Sequence, residues 1–142
     1  MYWVNGWATS HRYHENKLLP CLFGCSGCVD SLSHYLQCPA LLALWRFLAC
    51  GVASEDPLIR WGLMHPCKDT YLYISCIFSG YHAVRRDIHE FGIFFEYNQL
   101  VLHSAQLRRA RSVFAETFKV EARELALAHR QFSLPDFLSS IT

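Results

Sequence analysis

Apolar residues crowd into a few stretches of this chain, and their spacing predicts helices. Ala40 to Ala49 is hydrophobic nearly all round. It predicts a core helix with Pro39 at its first position, where a missing N–H is harmless, and Gly51 as the residue that ends it. Residues 54–66 predict a capped short helix: Ser54, two acids and Pro57 mark its start and Pro66 its end. Thr70 to Arg86 is apolar on almost every face, with Tyr71, Ile74, Phe78 and Tyr81 on one stripe and Tyr73, Ile77 and Val84 on another. A buried central helix fits, with Arg85, Arg86 and His89 at its wet end, although the aromatic and β-branched content leaves a strand open. From about Phe94 to Gln131, Tyr97, Leu100, Leu107, Phe114, Phe118, Ala122 and Leu125 recur at helical spacing. Residues 2–16 suggest a short helix or helix-turn, and Leu134-Pro135-Asp136 a terminal turn. The expected fold is mainly α, with residues 1–50 and 51–142 packed as one continuous unit.

One stretch does not follow this pattern. Between Cys21 and Cys38 the chain places four thiols and an imidazole as C-x3-C-x2-C-x5-H-x3-C. Thiolate and neutral imidazole are the ligands that tetrahedral zinc favours, and a structural site needs four of them. His34 and Cys38 are four residues apart and share one face of a short helix, which Asp30 or Ser31 can cap. Gly24, between Cys21 and Cys25, can take the positive φ of a knuckle. Two ligand sets are open: Cys21, Cys25, His34 and Cys38, or the same set with Cys28 replacing Cys21. The first leaves eight residues to close the loop between Cys25 and His34 rather than five, and is preferred. The alternative to a Zn2+ site is a group of buried free thiols, since cysteine packs as a small hydrophobe. A helical domain with an N-terminal zinc knuckle is therefore expected.

Asn5-Gly6-Trp7-Ala8-Thr9-Ser10-His11-Arg12, then Cys21 and Cys25, then Asp30-Ser31-Leu32, His34-Tyr35, Cys38-Pro39 and Leu44-Trp45 together resemble the zinc-binding segment of reverse transcriptases. In non-LTR retrotransposons that segment follows the polymerase core. The resemblance covers residues 3–47. It implies Cys21, Cys25, His34 and Cys38 as ligands, RNA or DNA as a partner along with the rest of a polymerase polyprotein, and a nuclear location if the protein is element-encoded. It also implies that a chain with no polymerase core before the finger is a fragment or decayed copy. Cys28 is an extra thiol relative to that pattern.

Composition narrows the classes. At 142 residues with 52% hydrophobic and 15% aromatic content, the chain can bury a core and is not a disordered sequence. A formal charge of +1 gives no global attraction to nucleic acid, so binding needs a local patch. The candidates are Arg12 and Lys17, in an edge with His11 and His14, and Arg108, Arg109 and Arg111, since arginine grips phosphate bidentately. A solvated helix face is the plainer account of the last three. Trp3 and Trp7 either cap the core or stack on a base. Seven cysteines, an odd number, beside eight histidines and without a signal-peptide pattern suggest a reducing intracellular compartment. The longest near-apolar run, Tyr71 to Val84, is too short to span a membrane. Clustered carboxylates of the polymerase kind are missing from the sequence. His65 with Cys67, and Cys50, read as structural.

Overall fold

The computed structural model describes residues 18–48, 54–65, 68–90 and 100–129. Within them every regular element is a helix: α1 (Leu32–Gln37), α2 (Pro39–Leu48), α3 (Pro57–Arg60), α4 (Lys68–Glu90) and α5 (Ser104–His129). Residues 18–31 form a small hairpin ahead of them. Its arms meet at an isolated antiparallel bridge between Pro20 and Val29, with Cys21 N–H donating to Cys28 O (2.8 Å) and Asp30 N–H to Leu19 O (2.9 Å). At the turn Gly24 has φ 95°, a left-handed value open to glycine because it lacks a Cβ.

The long apolar stretch is helical, and the strand alternative is set aside. Along α4, Ile74, Ile77, Tyr81, Val84 and Ile88 are buried at three- and four-residue spacing, the stripe of a one-sided helix. It is not buried all round, because Tyr71 is 45% exposed. Its partner is α5, which presents Ala110, Phe114, Phe118 and Ala122. The two axes approach closely where α4 has no side chain. A Cβ added to Gly80 would lie 2.6 Å from the Phe114 ring. The hydrophobic cluster runs without a break from Leu19, Cys21 and Leu22 through Leu41, Leu44, Trp45 and Trp61 to Phe118 and Ala122.

Two boundaries differ from expectation. α5 begins at Ser104, about one turn beyond Leu100, the earliest residue described there. Residues 100–103 are engaged otherwise: Leu100 O accepts Gly27 N–H from the hairpin (2.8 Å), and Gln106 Oε1 accepts His103 N–H (2.9 Å). The second contact is one half of a capping box, so the start is set by a cap that periodicity does not register. Leu100 is accordingly 74% exposed rather than part of the stripe. α3 is a single turn capped by Asp56, whose side chain accepts Leu58 N–H (2.8 Å). Ser54 caps nothing, and its hydroxyl takes Asp56 N–H. The helix ends at Arg60 with Trp61 as its C-cap, and Gly62 follows at φ 69°. Leu63 and Met64 then fold back onto Leu58 O. The expectations for residues 2–16, Cys50, Gly51, Pro66, Cys67, Tyr97 and 134–136 lie outside the described residues.

Candidate metal centre

Cys21 and Cys25 come from the hairpin, His34 from α1 and Cys38 from the junction of α1 with α2. α1 forms because Ser31 caps it, its Oγ accepting His34 N–H (3.3 Å). Seven residues after the cap, Cys38 leaves helical geometry (φ −59°, ψ 121°), and Pro39 restarts the chain as α2. An extended residue before proline is what the pyrrolidine ring requires. The break turns Cys38 toward the hairpin.

The ligand atoms of Cys21, Cys25, His34 and Cys38 all lie within 4.8 Å of one another. The Sγ atoms of Cys25 and Cys38 are 3.5 Å apart, and those of Cys21 and Cys38 are 3.9 Å apart. A disulfide needs about 2.05 Å, whereas zinc–sulfur bonds of about 2.3 Å in a tetrahedron put two sulfurs about 3.8 Å apart. The five described cysteines are free thiols. Cys21 and Cys38 are buried. The hydrogen bond to Cys38, then burial, pushes the Cys21 thiol far above its ordinary value. Burial and the neighbouring Cys21 raise Cys25. Nearby backbone N–H groups, of Cys25 and Phe23 for Cys21 and of Ala40 for Cys25, favour the thiolates and oppose these shifts. Several thiolates this close repel one another unless a cation sits among them. Burial also holds the His34 imidazole below its ordinary value, with the Asp30 charge opposing, and His34 Nε2 is buried without a hydrogen-bond partner. An orphaned ring nitrogen and three crowded sulfurs are the donor set of a Cys3His site, and the residues fit a divalent metal ion. Cys28 is outside the group. It stands across the hairpin from Cys21 and contributes its carbonyl to the backbone pairing.

Residues that sequence reasoning did not select hold this centre to the helices. Asp30 is fully buried. Its Oδ1 accepts from Tyr35 Oη (2.5 Å) and Tyr81 Oη (2.8 Å), and its Oδ2 from Arg85 Nη1 (2.5 Å). Arg85 is therefore not at a wet end: it is 5% exposed and paired with Asp30. The expected capping role falls to Ser31 alone. On the other side, Arg60 Nη2 and Trp61 Nε1 both donate to Leu36 O, at 2.9 and 3.2 Å, and so close the last turn of α1. Charged residues are rarely buried unless paired. The partners here are distant in sequence, so no local signal announced them.

The candidate phosphate contacts fare differently from one another. Arg12 and Lys17 lie outside the described residues. Arg108 and Arg111 are exposed on α5, three residues apart and so on one face. Arg109 forks onto Asp87 of α4, Nε to Oδ2 at 2.8 Å and Nη2 to Oδ1 at 2.6 Å, so its donors already hold a carboxylate. No helix among the described residues is long and apolar enough to cross a membrane. Comparison with protein-family models, curated proteins and solved structures finds no match to this chain.

Proposed function

We propose that this protein is a zinc-binding, nucleic-acid-contacting module in which Zn2+ has a structural role. The observation that carries the reading is the closed set of four: Cys21, Cys25, His34 and Cys38 converge, with an unpartnered buried Nε2 among them. Three sulfurs and one imidazole fill a tetrahedron and leave no position for substrate, which is the pattern of structural rather than catalytic zinc. Soft thiolate ligands select zinc over magnesium or calcium. When bound, the ion would neutralise the crowded thiolates and tie the hairpin to α1. Arg108 and Arg111 supply the exposed cationic edge for phosphate. That the module is of the reverse-transcriptase kind, a fragment or remnant of a retroelement polymerase, is supported by the resemblance over residues 3–47.

Salt dependence tests it. Gel-shift titration of the zinc-loaded protein with single-stranded and duplex nucleic acid should show binding at low salt that weakens steeply toward physiological salt, because phosphate contacts release counterions. Replacing Arg108 and Arg111 together by Ala should reduce the affinity and the salt slope. An absence of binding at low salt rejects nucleic-acid contact.

A second reading, a zinc-stabilised domain that docks on another protein, is favoured by one observation. Leu58, Ile59, Leu63, Met64 and Tyr71 are each 39–46% exposed, and they cluster around the α3 turn. Large exposed apolar patches mark interaction sites. Binding to a partner through this patch would be insensitive to salt.

A further inference from the structure

We propose that Asp30 is a positioning residue of the metal centre, and that through Arg85 the loading of that centre and the seating of α4 form one coupled equilibrium. The inference rests on the structural-metal reading above. Both arms that carry ligands meet at Asp30. The Tyr35 hydroxyl, on the helix that bears His34, donates to Asp30 and also accepts the N–H of Leu22, the residue after Cys21 (3.4 Å). The residue after Asp30 is the Ser31 cap of that helix. Opposite them, Tyr81 and Arg85 reach the same carboxylate from α4, 51 and 55 residues away. Arg60 and Trp61 grip the far end of α1 through Leu36 O, two residues before Cys38.

A buried ion pair is weak evidence for stability alone, because desolvation offsets the attraction. Its geometric demands are what matter here. A fully buried carboxylate with three donors tolerates little displacement. The ligands cannot relax outward without moving Asp30 away from Arg85, and α4 cannot shift without moving Asp30 and with it α1. Coupling of this kind is reciprocal: metal stabilises the docked α4 by the factor by which docked α4 tightens metal. Groups beyond the ligands commonly tune metal sites in this way.

The experiment uses the full chain with Zn2+ competed against a chromophoric chelator, Co2+ absorption as a probe of ligand geometry, and amide exchange with and without Zn2+. Arg85→Met should weaken zinc affinity by about ten- to a hundredfold, the range typical of lost outer partners. It should also shift the Co2+ bands, and Arg85→Lys, which keeps one charged donor, should do less of both. Zinc should slow exchange in α4 between Ile77 and Ile88 as well as in residues 18–48. An unchanged zinc affinity in Arg85→Met overturns the inference, as does zinc protection confined to residues 18–48. A role in packing alone would lower the melting temperature with and without zinc equally and leave the affinity untouched. If Arg85→Met does not fold, Arg85→Lys and the exchange pattern of the unaltered protein decide. Failure of the unaltered protein to bind zinc rejects the structural-metal reading itself, a different result from binding without coupling.

Discussion

Asp30 shapes the titration of the two phenols that share its carboxylate. Burial, and then the Asp30 charge, hold Tyr35 and Tyr81 well above their ordinary value of 10. The folded state therefore keeps protons that the unfolded chain would release. The stability that these two phenols contribute is complete below about pH 10 and declines as pH rises beyond it. In a spectrophotometric titration at least two of the seven tyrosines should ionise only with unfolding, and an ordinary curve for all seven would contradict the buried cluster. The sulfurs give a second residue-level prediction. Cys21→Ser should abolish stoichiometric zinc in native mass spectrometry, because it removes a thiolate from the converging set. Cys28→Ser should retain the metal, because Cys28 lies outside the converging set. The reverse result would move the site to the other ligand set.

Among the elements, the α4–α5 pair is the most extensive helix contact in the described residues, and Gly80 is a point of close approach within it. Alanine there would gain about 1 kcal/mol of helix propensity. Its methyl group, however, would lie within 2.6–2.7 Å of the Phe114 ring. That ring is itself buried and packs edge-on against Phe23, with centroids 5.3 Å apart. Overpacking of this kind costs about 1–3 kcal/mol, so Gly80→Ala should lower stability by up to about 2 kcal/mol in chemical denaturation. A clear gain in stability would mean that the helices can part without loss. The same interface accounts for Arg109, whose bond to Asp87 joins the two helices rather than leaving all three arginines open to phosphate.

For the whole molecule, the hairpin is not an appendage. Gly27 N–H holds Leu100 O ahead of α5, a Cβ on Gly24 would touch Leu107 of α5 at 3.0 Å, and Asp30 holds α4. Metal bound in such a position would act on the described helices as well as the hairpin, since binding free energy at a site not formed in the unfolded chain is folding free energy. Chelation should lower the melting temperature by roughly 10 °C or more, as expected for a loss of several kcal/mol from a domain of this size. Restoring Zn2+ should reverse the change. A melting temperature indifferent to chelator would show that packing alone maintains the hairpin.

The linear order of residues by itself determined the helical class and the group that can hold metal. Apolar spacing is a local property, and the four candidate ligands fall within 18 consecutive residues of the chain, so pattern and spacing carry both. Ser31 as a cap, Pro39 as a helix start and Gly24 as a turn are legible for the same reason. Tertiary structure alone decided which charges go inside. Asp30 and Arg85, 55 residues apart, look like an ordinary cap and an ordinary wet helix end. Burial becomes affordable only when the fold brings each to the other, and no sequence period records that meeting. Arg60, buried on Leu36 O, follows the same physics, and the exposed pair of Arg109 with Asp87 is likewise a meeting of residues distant in sequence. Spacing only prefers Cys21 over Cys28, through the longer loop, and it is the three-dimensional pairing of the hairpin arms that leaves Cys28 outside the converging group.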